Sequence, residues 1–242
     1  MKNKSKMQLF LQILILLFGS ATLLTFTYPI LSEALNEIWN QNILAEFNKE
    51  QQSVQEMRKD WEKLNESQKN MALKDPYSEE SLIASRGGTY PNPYYVKKMI
   101  GEIYLPTIHQ MLPIFNETND HLLQKGAGLA PGSDFVGDGK GSLILLAGHS
   151  GIPSANLFND VPKLKKGELF FLYISQKYYA YKINTIVKVL PNEVKHLRKD
   201  PSKELTTLIT CLPVGINTHR LLVTGERIPF TPEMKAKLGD LK

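Results

Sequence analysis

The chain has 242 residues, a formal net charge of +5 and a sequence pI near 9.1. Its charges are scattered and form no basic stripe, so the composition gives no indication of a nucleic-acid-binding protein. A single cysteine, Cys211, excludes an internal disulfide and leaves either an inert buried thiol or a reactive one.

An uncharged, mostly apolar run extends from residue 7 to residue 30, after three lysines among the first six residues. A run of this length can cross a bilayer, and we predict a single transmembrane anchor over residues 7–30. A cleaved signal sequence is the alternative, but its apolar region would be shorter and would end in small residues. Because the lysines precede the span and Glu33 follows it, we expect residues 1–6 in the cytoplasm and the rest of the chain outside the plasma membrane, facing the cell wall.

Residues 31–74 have the pattern of an amphipathic helical arm. Apolar residues recur there mostly three, four or seven positions apart, at Leu35, Trp39, Ile43, Phe47, Val54, Met57, Trp61, Leu64 and Met71. Such an arm can be a stalk, pack on the following domain or form a coiled-coil dimer. Polar residues at Glu50 and Gln68 interrupt the apolar stripe and favour packing on the domain, and Pro76 ends the helical region.

Strand patterns dominate residues 99–230, whereas residues 75–98 have the composition of a connection and residues 231–242 that of a short, charged C-terminal tail. We predict short helical turns over residues 119–125 and 192–198. The predicted strands are Gly101–Tyr104, Leu112–Phe115, Ser142–Ala147, Glu168–Ser175, Tyr178–Leu190, Leu205–Cys211 and Arg220–Ile228. Several strands with few helices predict a mainly β sandwich or barrel.

Cys211 ends one predicted strand and Arg220 opens the next. The residues between them include Pro213, Gly215 and Asn217, which are residue types that make turns. The thiol and the guanidinium can therefore meet at the mouth of two neighbouring strands, and we predict a candidate active site there.

A thiol with an ordinary pKa is only a few per cent ionised at neutral pH, so a reactive cysteine needs a partner. His149, where an apolar strand runs into a glycine-flanked loop, and His219, beside Arg220, are the two candidates. The end of an apolar strand in a glycine-flanked loop favours His149. A third possibility is that the histidines have only structural roles. Arg220 can polarise a carbonyl through its fixed fork of donors, or it can be a surface arginine that bridges to Glu226.

Two longer motifs resemble a known family. The string TLITC, followed nine residues later by an arginine in CLPVGINTHRLLVTGERI, resembles the cysteine and arginine motifs of the sortases. The segment AGHSGIPSANLFNDVPKLKKGE, residues 147–168, resembles the histidine motif of their class C, pilus-assembly branch. The resemblance covers about residues 75–230. It implies an eight-stranded sortase-type β-barrel with short helices over residues 99–230, with His149, Cys211 and Arg220 as catalytic residues and Thr210 in a supporting, substrate-binding role.

The tripeptide Asp75-Pro76-Tyr77 matches the lid signature of many class C sortases. The resemblance implies that Asp75 lies against Arg220 and that the ring of Tyr77 covers Cys211. Without the downstream motifs, the same tripeptide would simply terminate a helix.

By resemblance, the chain is a membrane-anchored cysteine transpeptidase of Gram-positive bacteria. Cys211 would cleave an LPXTG-like sorting signal and form a thioacyl-enzyme, which a lysine of the next pilin would resolve to build a covalent pilus. The implied partners are pilin subunits with C-terminal sorting signals and the membrane, with a peptidoglycan precursor as the other acceptor. No cofactor and no metal site are implied, and calcium use stays open. The alternatives are a sortase that anchors surface proteins to peptidoglycan and a non-enzymatic pilus assembly factor with Cys211 in its core.

The chain also departs from the class C pattern. Ser150 follows the histidine where an arginine is common, and Leu212 and Val214 replace polar and aromatic residues often found after the cysteine. Residues 229–242 lack the second apolar span of many class C members, so we expect a single-pass protein. These departures leave the sorting signal and the acceptor open.

Overall fold

The computed structural model describes residues 2–49, 54–66, 75–77, 92–152 and 154–239. The predicted arm residues 67–74, including Gln68 and Met71, and the predicted connecting residues 78–91 lie outside the described residues, as do Glu50 and residues 240–242.

At the centre of the fold is a closed eight-stranded β-barrel with the strand order β1-β2-β3-β4-β7-β8-β6-β5. The prediction of a mainly β, eight-stranded barrel is therefore confirmed. The strands are β1 Met99–Leu105, β2 Gln110–Phe115, β3 Ala127–Leu129, β4 Leu143–Gly148, β5 Leu169–Ile174, β6 Lys177–Val189, β7 Leu205–Leu212 and β8 His219–Ile228.

The strand β7 lies between β4 and β8, parallel to β4 and antiparallel to β8. Parallel strands bring their carboxyl ends to the same edge of a sheet, and an antiparallel partner begins there. The end of β4, the end of β7 and the start of β8 consequently share one edge of the barrel. His149, Cys211 and Arg220 lie at these three strand ends.

The two faces of β4 and β7 contribute to two different apolar clusters, because successive side chains point to opposite faces of a strand. Ile144, Leu146 and Leu208 belong to the main cluster of the barrel. The alternate residues of the same strands form a second cluster, which we call the Cys211 cluster; its buried members are Tyr77, Leu123, Ala130, Leu143, Leu145, Ala147, Ile209, Cys211 and Leu222. The nucleophile candidate is thus built into packed core structure.

The helices are α1 Lys2–Lys49, α2 Val54–Glu66, α3 Asn92–Lys98, α4 Asp120–Leu123 and α5 Pro232–Gly239. Three short 3₁₀ helices span Pro106–Ile108, Val161–Lys163 and Pro191–His196. The two predicted helical turns correspond to α4 and to the last of these 3₁₀ helices.

Helix α1 is continuous across the predicted boundary between anchor and arm, with Pro29 inside it. Within the described part of the chain, it is the one helix long and apolar enough to cross a membrane, and the apolar side chains of its first part are exposed. Its later part and α2 bury Ile43, Phe47 and Trp61 in the main cluster. The arm therefore packs on the barrel, which was the favoured alternative.

Two segments differ from the predictions. Residues 92–98, predicted as part of a connection, form helix α3, because Tyr95 and Val96 are buried in the main cluster. Residues 231–242, predicted as a tail, include helix α5, whose Leu238 packs with Tyr104 and Phe171. In both segments tertiary packing of one or two apolar side chains stabilises a helix that local composition did not indicate.

Candidate active site

Cys211 and Arg220 are directly opposite each other in the antiparallel pairing of β7 with β8. Directly opposite residues share a face and have Cβ atoms about 4.5–5.5 Å apart. Both are almost fully buried, with 4% of Cys211 and 5% of Arg220 exposed. The structure therefore brings the thiol and the guanidinium together at the barrel edge, as the turn between them predicted.

The turn after Cys211 helps to hold Arg220. The backbone amides of Ile216 and Asn217 each donate to Pro213 O at 3.0 Å, which closes the turn. Arg220 Nη1 donates back to Asn217 O at 2.9 Å and to His219 O at 3.2 Å. One end of the guanidinium is thus fixed by backbone carbonyls of its own loop.

The loop that carries His149 touches this turn at two glycines. A Cβ atom on Gly151 would lie 2.6 Å from the backbone nitrogen of Gly215, so no larger residue fits there without a shift. Both glycines have positive φ values, 83° and 81°, which other residues rarely adopt. In addition, Ser150 Oγ donates to Cys211 O at 2.8 Å. The histidine loop and the cysteine strand are therefore joined by direct contacts.

The His149 side chain is largely buried, with 15% of it exposed, and its Nε2 lies 3.1 Å from Asp120 Oδ1. Burial lowers the pKa of His149, while the hydrogen bond and the charge of Asp120 act in the opposite direction. Among the described residues, no hydrogen bond joins His149 to Cys211. The rival His219 neighbours Arg220 on β8 and so points to the opposite face of the strand, where its Nδ1 lies 2.9 Å from Thr218 Oγ1.

Asp75 and Tyr77 lie over these residues at the positions that the resemblance implies. Asp75 accepts from Arg220 Nε at 2.9 Å and from Nη2 at 2.6 Å, in a paired geometry that suits a carboxylate and a guanidinium. The side chains of this ion pair are only 6% and 12% exposed for Arg220 and Asp75. Whether the segment opens as a lid stays a prediction.

The ring of Tyr77 has contacts on several sides. Its hydroxyl shares its hydrogen between Gly148 O at 2.6 Å and Ile209 O at 2.7 Å. The ring centroid lies 5.2 Å from Arg220 Cζ and 5.5 Å from the His149 ring. Tyr77 therefore fills the space beside the histidine and the arginine and belongs to the Cys211 cluster.

The electrostatics of the site keep the thiol protonated. Burial raises the pKa of Cys211 to about 11, the positive charge of Arg220 lowers it, and the negative charge of Asp75 raises it. At neutral pH the site therefore holds a neutral thiol, and the buried His149, whose pKa is lowered, favours its neutral form as well. Withdrawal of Asp75 would leave Arg220 free to stabilise a thiolate or another developing negative charge.

Thr210 is fully buried, and its Oγ1 donates to Gly148 O at 2.8 Å. This bond ties the end of β7 to the end of β4, next to His149. Here Thr210 supports the site by holding two strand ends together.

Two contacts of the site were not predicted from the sequence, those of Asp120 with His149 and of Ser150 with Cys211 O. Asp120 lies in a predicted helical turn, but no local pattern indicates contact with a histidine 29 positions away. Ser150 was noted only as a departure from the class C pattern. Within the described residues, no group of three or more histidine, cysteine, aspartate or glutamate residues could hold a metal ion.

Comparison with known proteins identifies the barrel. A family model described as "Sortase domain" matches residues 103–228. Sortase A of Bacillus anthracis is 31% identical over 132 residues, which are 54% of this chain and 61% of that protein. Sortase A of Streptococcus agalactiae is 30% identical over 152 residues, which are 62% of this chain and 59% of that protein. The chain spans about three fifths of the length of these curated relatives.

Solved structures match over a larger part of the chain. Sortase C of Streptococcus pneumoniae has 34% sequence identity and a TM-score of 0.64, and the match covers 79% of this chain and 98% of that one. Sortase C-1 of Actinomyces oris has 34% identity and a TM-score of 0.60, with 73% and 98% covered.

Proposed function

The chain belongs to the sortase family, and from this premise we propose that it is a membrane-anchored cysteine transpeptidase of the class C, pilus-assembly type. The observation that carries the proposal is the position of Asp75 and Tyr77 over Cys211 and Arg220. It is supported by similarity to class C sortase structures over nearly the whole length of those chains.

The reaction begins when the sorting signal displaces Asp75 and Tyr77. Cys211 Sγ then attacks the threonine carbonyl carbon of an LPXTG-like peptide, and the thiol proton passes to His149. The carbonyl oxygen becomes an oxyanion, which the guanidinium of Arg220, released from Asp75, stabilises. The bond between threonine and glycine breaks, His149 returns the proton to the departing amine, and a thioester remains on Cys211.

The second half of the reaction reverses these roles. An incoming lysine amine of another pilin attacks the thioester carbonyl and loses a proton to His149. The carbon–sulfur bond breaks, an isopeptide bond remains in the product, and the sulfur regains its proton. Because each cycle returns the site to a neutral thiol and a neutral imidazole, successive cycles can extend a covalent fibre.

The pilin acceptor is suggested by the structural neighbours. The Streptococcus pneumoniae sortase C is described for its pilin substrate specificity, and sortase C1 of group B Streptococcus belongs to a pilus island. A second candidate function, attachment of surface proteins to peptidoglycan, is favoured by the sequence relatives, which are named sortase A.

These two functions can be separated with the full chain in detergent micelles. A protein substrate with a sorting signal is offered together with a pilin and a wall-peptide amine, and the product linkages are read by mass spectrometry. Linkage to a pilin lysine is the expected result. Predominant linkage to the wall-peptide amine would favour the second function, and loss of all products in Cys211→Ala is the control.

We also propose that α1 anchors the chain in the plasma membrane with residues 1–6 inside and the barrel outside, because the lysines precede the apolar run. Protease added to cells without their wall should then digest the barrel and spare the first residues. Protection of the barrel until the membrane is opened would contradict this orientation.

A further inference from the structure

We infer that Asp120 is a positioning residue for His149: it holds the imidazole as the tautomer with hydrogen on Nε2 and so leaves Nδ1 as the nitrogen that exchanges protons with the reacting groups. The effect of Asp120 on catalysis rests on the proposed function, because His149 exchanges protons only if that reaction takes place. The geometry itself can be tested without any activity.

The first support is the geometry of the carboxylate. Asp120 Oδ1 lies 3.1 Å from His149 Nε2, and the other oxygen, Oδ2, accepts from Gln124 Nε2 at 2.7 Å. Each carboxylate oxygen of Asp120 thus has its own hydrogen-bond partner. This arrangement restricts the Asp120 side chain to one orientation, in which one oxygen faces the histidine ring.

The second support is the rigidity of helix α4, which carries Asp120. Asn119 caps the helix by accepting from the Leu122 backbone amide at 3.0 Å. Leu122 is fully buried in the main cluster, and Leu123 is fully buried in the Cys211 cluster. A residue of α4 therefore packs in the same cluster as the thiol, so the helix holds Asp120 at a fixed place relative to the site.

Helix α1 holds the chain just after α4 as well. Lys125 Nζ donates to Asn36 Oδ1 at 3.2 Å and lies 4.7 Å from the centroid of the Trp39 ring. Asn36 Nδ2 in turn donates to Ser154 O, in the loop that follows His149. The segment just after α4 and the loop after His149 are thus both attached to α1, which limits relative movement of Asp120 and His149.

The tautomer follows from the chemistry of the two groups. An ionised carboxylate can only accept hydrogen bonds, so Nε2 must carry the hydrogen and donate it. In the neutral ring the lone pair then lies on Nδ1. Among the described residues, Nδ1 of His149 has no hydrogen-bond partner, so it is available for proton exchange. A carboxylate in this position also stabilises the imidazolium that forms during the reaction.

The simpler alternative is that Asp120 is only an acidic residue in the first turn of a short helix, where acids are generally favoured. In that case its removal would affect stability but not the histidine. The two readings differ in what happens to the tautomer and to the pKa of His149, and both can be measured.

The kinetic test compares Asp120→Asn with the wild-type full chain in detergent micelles. The amide can donate to Nε2 and so place the hydrogen on Nδ1. We expect the turnover number to fall about 10- to 100-fold, by analogy with carboxylates that orient metal-ligating histidines, with the KM for the sorting-signal peptide within about twofold of wild type. Asp120→Glu restores the carboxylate and should recover part of the loss.

Asp160→Asn is the matched control. Its side chain is 27% exposed, close to the 30% of Asp120, and it also pairs with a neighbouring group, Lys163 Nζ at 2.7 Å. It lies outside the candidate site, so its turnover number should equal that of the wild type. An equal loss in Asp120→Asn and Asp160→Asn would overturn the inference.

The direct test is nitrogen NMR of ¹⁵N-histidine-labelled full chain, with His149→Gln to assign the resonance. In the wild type, the neutral ring should carry its hydrogen on Nε2. In Asp120→Asn this preference should be lost, and the pKa of His149 should move lower because burial then acts without the opposing charge. An unchanged tautomer and an unchanged pKa in Asp120→Asn would overturn the inference.

The two tests separate this inference from the proposed function. If the wild type forms no product but the tautomer switches in Asp120→Asn, the proposed function fails and the positioning role stands. If the wild type is active and the histidine resonances do not respond to Asp120→Asn, the positioning role fails and the function stands.

Discussion

At Cys211, burial and two opposite charges act on the same thiol. Burial raises its pKa, Arg220 lowers it, and Asp75 offsets Arg220, so that the pKa reaches about 11. Burial is the largest of these effects, so the thiol that the chain would use as a nucleophile is poorly ionised. Asp75, more than a hundred positions away in the sequence, raises the pKa of the thiol further.

This pKa predicts the pH dependence of Cys211 alkylation. Only the thiolate reacts, and below its pKa the thiolate fraction rises about tenfold per pH unit. The alkylation rate of the wild type by iodoacetamide should thus keep rising beyond pH 9.5 and level off only near a pKa of about 11. A plateau near pH 8.5, the behaviour of a free cysteine that serves as the control, would contradict the description of the site.

The proposed catalytic roles predict a graded set of variants. His149→Ala should lower the transpeptidation rate about 10²- to 10⁴-fold, because it removes the proton shuttle. Arg220→Lys should lower it about 10²- to 10³-fold, because lysine keeps the charge but loses the planar fork. Arg227→Lys is the control and should retain the wild-type rate. Arg227 also lies in β8, but its Cζ lies 4.5 Å from the centroid of the Tyr179 ring. Initial rates measured with a sorting-signal peptide check the series, and near-normal activity of His149→Ala would contradict its role.

The turn between two predicted strands indicated that Cys211 and Arg220 lie side by side, and the pairing of β7 with β8 places them so. The role expected for Arg220 depended on the family resemblance. The residue pattern favoured His149 over His219, and the family resemblance strengthened that choice. In the structure, residues 219 and 220 are neighbours on β8 and point to opposite faces, so His219 does not share the face of Arg220. Asp120 escaped prediction because its contact depends on how α4 packs, which no local pattern encodes.

Among the elements around the site, the segment 75–77 is held by hydrogen bonds between Asp75 and Arg220 and from the Tyr77 hydroxyl to two backbone carbonyls. The ion pair of Asp75 with Arg220 and the hydroxyl contacts of Tyr77 are nearly buried, so removal of one partner leaves a buried charge or carbonyl group without its partner. In the proposed reaction a sorting signal needs the same groups, so its affinity would fall as the fraction of molecules in the open form falls.

We therefore predict that weakening this segment exposes Cys211. Tyr77→Phe keeps the ring but loses hydroxyl contacts of about 1 kcal/mol, which should raise the open fraction and the alkylation rate about fivefold. Asp75→Ala leaves Arg220 unpaired and should raise the rate further, because it also lowers the pKa of Cys211. Alkylation of Cys211 followed by mass spectrometry measures both effects.

The control for these variants is Asp160→Ala, which breaks the ion pair with Lys163 outside the site. Its alkylation rate should equal that of the wild type. Unchanged rates in Tyr77→Phe, in Asp75→Ala and in the double variant would show that the tripeptide only terminates a helix.

The packing of the arm gives a prediction about stability. Phe47 and Trp61 are 9% and 3% exposed, and each replacement by alanine should lower the free energy of unfolding by about 3–5 kcal/mol. Ile38→Ala, on the same helix as Phe47 but 56% exposed, should change it by less than about 0.5 kcal/mol. Urea unfolding of the full chain in detergent, followed by circular dichroism, makes the comparison. Equal, small effects at all three positions would mean that the arm is a free stalk.

Among the elements, runs of strand-forming residues bounded by turn residues predicted β5, β6, β7 and β8 close to their observed bounds, whereas β3 was missed. That strand has only three residues, Ala127–Leu129, with a glycine at its centre. A Cβ on Gly128 would lie 2.2 Å from Glu117 O, so close backbone packing requires this residue and weakens the strand signal at the same time. Helices α3 and α5 were missed because packing stabilises them.

At the scale of the whole molecule, one continuous helix joins the apolar N-terminal run to the barrel. The sequence predicted an anchor followed by an arm, but the change in composition near residue 30 does not interrupt the helix. Asn36, in the later part of α1, contacts Ser154 in the loop after His149 and Lys125 just after α4. The edge of the barrel that carries the candidate site is therefore attached to the same helix that would lie in the membrane.

A thioester between Cys211 and the sorting signal can be detected directly by intact-mass measurement. The full chain and its Asp75→Ala variant are mixed with an LPXTG-type peptide and quenched in acid at short times. We predict a mass increase equal to the peptide fragment that ends at threonine, located on Cys211 by peptide mapping, released by hydroxylamine and missing in Cys211→Ala. Cleavage of the peptide without any adduct on Cys211 in either protein, or the same adduct in Cys211→Ala, would show that Cys211 is not the nucleophile.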